Sequence, residues 1–280
     1  MWDKRKLLLA AIVFIALYHK VTAERAKLLD MAPDAVDDIY KGCRKQALER
    51  FIHSGLLRQE LNHSEGFQRA WSGNPQCSRL IPGGIKEHTA ALLAYDNGDE
   101  HFIQSFNDAV ETLGVNVSTY ENLFDFKSLH FLLMDSMSLH PKKCQTVFAL
   151  QEKYKATQGS KVRFGRFITA HSSYARLRKL EDWDGAVIFN ITSCFFVNLG
   201  DNICSNRDIV LLSPAEAFTV EEVKKVADSD DTEYTAIVMK HSQLDSMHNC
   251  YIFSRSPADV SSQWIVWPFA VLSLFLFNNK

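Results

Sequence analysis

Side chains able to do chemistry are spread thinly along this chain of 280 residues, and their spacing excludes more than it suggests. Gly-x-Gly-x-x-Gly, the phosphate-cradling P-loop, Gly-x-Ser-x-Gly and His-Glu-x-x-His are all absent. The ten histidines stand singly. Without a nearby orienting group in the sequence, His130 and His171 read as core or surface residues rather than ligands. Asp228-Ser-Asp230-Asp231 offers clustered carboxylates but lacks the glycine and terminal glutamate of an EF-hand loop, so it reads as a solvated turn. Cys43, Cys77, Cys144, Cys194, Cys204 and Cys250 include no Cys-x-x-Cys pair, which argues against a zinc or dithiol motif. An even number of cysteines suits disulfides in an oxidising compartment, and spacing alone does not choose the partners.

The two ends of the chain name the same compartment. Lys4-Arg5-Lys6 precedes an apolar run from Leu7 to Leu17, and Val21-Thr22-Ala23 follows with small residues before a cut at Glu24. Residues 1–23 therefore read as a cleaved secretory signal. A second apolar run, Trp264 to Phe277, contains Pro268 and ends at Asn278-Asn279-Lys280. Both runs are shorter than the about 20 residues that a membrane-spanning helix needs. Ser254 or Ser256 with a polar spacer before the second run has the layout of a GPI-attachment signal, removed as residues 256–280. A buried helix is the rival reading of each run, weakened at the C-terminus because that run has no polar face. Sequons at Asn62, Asn116 and Asn190 fit an extracellular surface, with Asn190 inside a strand-like run.

Composition agrees. The chain is 46% hydrophobic and 23% charged with net charge −2, which excludes disordered and collagen-like classes. Removing 1–23 takes away four cations and one anion (Lys4, Arg5, Lys6, Lys20, Asp3), moving −2 to −5. An acidic surface lacks the basic face that nucleic acid requires, so no nucleic-acid partner is expected.

The elements that must position any site divide in two. From Glu24 to Leu139 apolar residues recur at helical spacing, as in Phe102, Phe106, Ala109-Val110 and Leu113. Beyond Pro141 the texture changes to short runs rich in Val, Ile, Phe and Thr: 145–150, 161–168, 186–196, 209–212, 218–223 and 234–239. Helices first and strands after predict one α+β domain over residues 24–255.

Several segments resemble one known family in unbroken order. Asp30-Met-Ala-Pro-Asp-Ala-Val-Asp-Asp-Ile-Tyr-Lys-Gly-Cys43, His88 to Tyr95, Phe106 to Gly114, Tyr120 to Phe131, Val162-Arg163-Phe164-Gly165-Arg166-Phe167 and Val210 to Phe218 are similar to the vertebrate ecto-mono-ADP-ribosyltransferases. The resemblance implies a helical N-terminal half packed on a mainly antiparallel β core. It implies NAD as co-substrate, transfer of ADP-ribose to a protein arginine, and loss of nicotinamide. It also implies a GPI-anchored protein on the extracellular face of the cell.

That reaction develops positive charge on the ribose, so it needs a fixed carboxylate there. The family places this Glu second in a Glu-x-Glu pair just before Val-Leu-Ile-Pro; here those positions are Arg207 and Ile209. Its Ser-x-Ser becomes Thr169-Ala170-His171, and Ala149 stands where an Arg is expected to hold the dinucleotide. Thr169, Arg163 and Gly165 are the remaining expected cofactor contacts. Asp208 is a candidate substitute acid, although one residue along a strand it points to the opposite face. The pattern is similar to the family's catalytically degenerate branch, with activity lost or weak. Active transfer through Asp208 and weak NAD hydrolysis are the rivals. A pseudoenzyme of this kind works by binding an unidentified cell-surface or extracellular protein. The resemblance implies Cys43–Cys250 and Cys144–Cys194 bridges, which leaves Cys77–Cys204. No metal is expected.

Overall fold

The computed structural model of the chain describes residues 26–73, 79–141, 143–151, 154–180, 185–203, 208–227 and 233–253. Residues 1–23 and 256–280, Ser254, Ser256, Cys77, Cys204, Arg207 and Asp228 to Asp231, on which the expected signal, anchor, bridge, site and turn readings rest, lie outside these residues. After a short strand β1 (Lys27–Leu28) the first half is helical. α1 (Arg44–Ala47) widens into a π turn over Leu48–His53. There follow α2 (Leu56–His63), α3 (Glu65–Trp71), α4 (Lys86–Asn97), α5 (Glu100–Thr112), α6 (Val117–Leu123) and α7 (Lys127–Leu139).

Local signals start several of these helices. The side chains of Ser64, Asp99 and Asn116 accept from Phe67 N, Phe102 N and Thr119 N at 3.2, 2.8 and 2.9 Å. Each such cap contributes about 1 kcal/mol. α7 is buried from Lys127 to Met137, so its cap comes from another helix. Glu60 of α2 accepts from Lys127 N at 2.8 Å and Ser128 N at 2.9 Å. Burial pushes the Glu60 carboxyl up to about 7, against those hydrogen bonds. Around α7 lies an aromatic core that includes Phe51, Phe67, Phe102, Phe106 and Phe131.

The second half carries β2 (Gln145–Gln151), β3 (Tyr154–Lys155), β4 (Lys161–Val162), β5 (Ile168–Ala170), α8 (Tyr174–Leu180), β6 (Val187–Ser193), β7 (Phe196–Asn198), α9 (Leu199–Ile203), β8 (Val210–Leu212), β9 (Glu216–Ala227) and β10 (Glu233–Leu244). One sheet has the order β2-β6-β10-β9-β4 and another β5-β8-β7, while β1 pairs with β3. Pairing is antiparallel except at β6–β10 and β1–β3. The α+β architecture expected from the sequence is the one observed, with the helical core on one side and a sheet core of Val147, Ala149, Phe164, Phe189 and Phe218 on the other.

Two expected strands are broken. Residues 161–168 split because Gly165 turns at φ +68°, and a Cβ there would stand 2.4 Å from the Ala32 Cβ. β4 and β5 consequently enter different sheets. Residues 186–196 split at Cys194, whose backbone N donates to Glu216 at 2.7 Å instead of continuing the ladder. The Cys43–Cys250 and Cys144–Cys194 disulfides are both formed. The Cys77 and Cys204 pairing falls outside the described residues.

Candidate active site

The segment from Asp30 to Cys43, which carries much of the family resemblance, folds into a clasp rather than a catalytic loop. Arg163 is 1% exposed at its centre. Its Nε donates to Met31 O at 2.7 Å, its NH1 to Asp37 at 2.6 Å and to Asp245 O, and its NH2 to Ala32 O at 3.0 Å. Burial works against the Asp37 carboxylate. Hydrogen bonds from His248, Met247 and Arg163 outweigh it and hold Asp37 below its ordinary pKa. Asp38 accepts from Tyr40 N at 2.7 Å and Cys250 N at 2.9 Å, and burial raises it to about 6. Of the two residues expected at the dinucleotide, Arg163 has its guanidinium on the N-terminal segment and Asp245 O, and Gly165 passes close to Ala32. Four backbone and carboxylate partners leave this guanidinium facing inward.

The remaining expected positions meet where β2, β5 and β8 converge. Phe148 and His171 exchange backbone hydrogen bonds of 2.7 and 2.8 Å, which brings β2 beside the end of β5. Thr169 is paired with Leu211, and Ala170 with Val210. Exposed Thr169 and half-buried Ile209 lie on the side of this sheet that meets the helical core, where Ile209 packs among apolar residues. Ala149 lies on the opposite side, buried in the sheet core with Ile168, Ala170, Phe189 and Val210. An arginine introduced at 149 would therefore enter an apolar interior.

Asp208 and Ile209 diverge as alternation along a strand requires. Asp208 accepts from Ser172 Oγ and, at 3.2 Å, from Ser173 N at the start of α8. His171 Nδ1 contacts Asp208 O at 2.9 Å, so this imidazole joins β5 to β8. His130 is likewise structural. It lies between Tyr40 Oη at 2.8 Å and Val36 O at 2.9 Å, and burial lowers its pKa to about 4.

A cavity of about 640 Å³ opens elsewhere, lined in part by Tyr40, Lys41, Arg44, Asp135, Cys144, Cys194 and His241. None of the described family-equivalent positions lines it. Arg44 and His88 both meet Asp135, at 2.7 and 2.8 Å. Beside the Cys144–Cys194 bridge, buried Glu216 accepts from Ser193 Oγ at 2.5 Å and from His241 Nδ1 at 2.7 Å. Burial raises the Glu216 carboxyl despite these donors. Sequence reasoning missed the His241 partnership, because it depends on how β9 and β10 pair. Among the described residues no helix is long and apolar enough to cross a membrane.

A family model described as NAD:arginine ADP-ribosyltransferase matches residues 29–242. The chain belongs to that family. It is 28% identical over 271 residues to the erythroblast NAD(P)(+)–arginine ADP-ribosyltransferase of Gallus gallus, covering 87% of this chain and 84% of the relative. The GPI-linked NAD(P)(+)–arginine ADP-ribosyltransferase 1 of Oryctolagus cuniculus is 30% identical over 249 residues, covering 79% and 73%. Among structures, the eukaryotic mono-ADP-ribosyltransferase ART2.2 matches with a TM-score of 0.62 and 26% identity, over 80% of this chain and 98% of that one. A variant of ART2.2 with one Glu replaced by Ile was solved in complex with NAD; it matches at 0.64 and 24%, over the same shares. This ADP-ribosyltransferase-family chain thus keeps the fold across its matched span, with Ile209 and Ala149 at two of the positions expected to do chemistry.

Proposed function

We propose that the protein is a cell-surface member of the NAD:arginine ADP-ribosyltransferase family whose transferase activity is lost or weak, and whose working role is to bind a cell-surface or extracellular protein. Ile209 carries this reading. The family reaction needs negative charge where the ribose cation develops, and Ile209 offers an apolar side chain packed on the helical core. The neighbouring carboxylate does not replace it, because Asp208 is turned onto Ser172 and Ser173. Misplacing a catalytic group by about 1 Å already costs about 100-fold. Arg207, expected beside the incoming guanidinium, adds repulsion.

The test incubates the purified chain with labelled NAD and agmatine as arginine acceptor. No acceptor labelling is expected above background. Labelling that disappears in Asp208→Asn refutes the reading in favour of an active transferase. Nicotinamide release without labelling instead assigns a weak NAD glycohydrolase. Ile209→Glu with Arg207→Glu is the restoring pair and is expected to gain transfer; Ala149→Arg is left out because that site is buried. The names of GPI-linked and ecto relatives support the surface assignment, together with the sequence of the two ends. Phosphatidylinositol-specific phospholipase C should release the protein from expressing cells, and retention on the cell refutes the lipid anchor.

A further inference from the structure

The two described disulfides stand in different surroundings. Cys43 is 3% exposed, and Cys250 is half-buried against the turn held by Asp38, with its Sγ 3.3 Å from Lys41 O; the contrast lies in Cys43 against Cys144. Cys144 is exposed, Cys194 is half-buried, and both belong to the wall of the 640 Å³ cavity. One oxygen of Glu216 accepts from Cys194 N and from His241 Nδ1, each at 2.7 Å, and so sets the imidazole against the sulfur. A His241 ring nitrogen, Cys194 Sγ and a Glu216 oxygen all lie within 4.8 Å of one another. Base, orienting carboxylate and sulfur is the arrangement that activates thiol chemistry. The same wall presents Lys41 and Arg44; the acid there, Asp135, is already held by Arg44 and His88.

We propose that Cys144 is a thiol-modification site, opened by a small anionic thiol of the glutathione class that enters this cavity. The incoming thiol gives its proton to His241, and its thiolate attacks Cys144 Sγ. A new S–S bond forms there as the Cys144–Cys194 bond breaks. The electron pair leaves on Cys194 Sγ, where the imidazolium faces it and Glu216 keeps the ring in place. The products are a mixed disulfide on Cys144 and a thiolate on Cys194, so the exchange needs no outside oxidant or metal. Exposure favours attack on Cys144, and the stabilised leaving group favours departure of Cys194. Lys41 selects for a negatively charged thiol, the Arg44 charge being matched by Asp135. Opening the bridge removes the covalent tie beside the Gln145 end of β2, which stays paired with β6 through its backbone ladder.

The oxidised full chain, purified from a secretory host, is incubated with reduced glutathione, quenched by alkylation and mapped by peptide mass. Glutathione is expected on Cys144 with alkylated Cys194, at least about tenfold ahead of opening at Cys43–Cys250. His241→Gln should slow this by about tenfold or more. Lys41→Glu alters an exposed side chain and keeps the test valid if the His241 variant does not fold. At low ionic strength it should slow glutathione by about threefold relative to neutral 2-mercaptoethanol. A glutathione adduct on Cys194, first opening at Cys43–Cys250, or an unchanged thiol ratio in Lys41→Glu overturns the proposal.

Discussion

Replacing Arg163 by methionine decides between two roles for this residue, since a ligand-facing guanidinium and an internal clasp fail differently. Methionine retains the apolar stem but removes the donors to Asp37, Met31 O, Ala32 O and Asp245 O. Both side chains of the Arg163–Asp37 pair are 0% exposed, so Asp37 would keep its charge in an interior without its cation. Breaking a buried pair on one side costs about 3–5 kcal/mol. Asp37 still receives Met247 N at 2.9 Å and His248 N at 3.0 Å, which favours the lower end of that range. For a domain of this size each kcal/mol moves Tm by about 2–4 °C, so a fall of about 6–15 °C is expected. Urea unfolding and thermal melts followed by circular dichroism read the loss directly. Adding Asp37→Asn should show a coupling energy of about 1–3 kcal/mol, because the second change removes the stranded charge. An unchanged Tm with weaker NAD binding would refute the clasp and return Arg163 to the dinucleotide.

The buried histidine gives a pH prediction. His130 titrates at about 4 in the fold against 6.5 unfolded, so the unfolded chain takes up the proton first as pH falls. Its contribution is complete above pH 6.5 and is lost through pH 4, about 3 kcal/mol in all. His130→Gln should flatten that part of the stability profile, measured by urea midpoints from pH 7 to 4; an unaltered slope refutes a neutral, buried His130. For the sequons, Asn62 and Asn116 are exposed, whereas Asn190 is half-buried in β6, between β2 and β10. Asn62→Gln and Asn116→Gln should each remove one glycan seen by peptide-N-glycosidase treatment, and Asn190→Gln none. A glycan on Asn190 refutes the expectation that its half-burial within the sheet excludes the sugar.

What the sequence made legible follows from how local each determinant is. The spacing of Phe102, Phe106 and Val110 is a property of one helix, and all three are buried in α5. The break at Gly165 depends on Ala32, more than a hundred residues away, so apolar alternation ran straight through it. β9 and β10 extend well beyond their apolar ends because hairpin pairing carries polar residues such as Lys224 and Lys225 that read as solvated surface. α8 and α9 are short and were not foreseen. At the site, β5–β8 pairing sets Thr169 opposite Leu211, and the Glu216–His241 contact arises in a hairpin with register shifts at Val238/Met239 and His241/Gln243. No spacing rule anticipates such a shift.

The residues that carry the family resemblance are largely those that physical constraints hold in place. Asp37 and Asp38 satisfy the turn before Cys250, Arg163 fills a buried ionic site, and His88 caps α4 at Ile85 N while meeting Asp135. Tyr95 receives a hydrogen bond from Asn107 inside the helical core. Any of these is costly to replace. The strand position expected to hold the catalytic acid is under no such constraint. A half-buried carboxylate against an apolar core lacks compensation there, whereas Ile209 buries hydrocarbon worth about 25 cal/mol per Å². Under the proposed reading, Ile at that point strengthens packing while it withholds charge stabilisation. Ile209→Glu should therefore gain transfer at a cost in stability, and a thermal melt of that variant no lower than that of the unaltered chain refutes the trade-off.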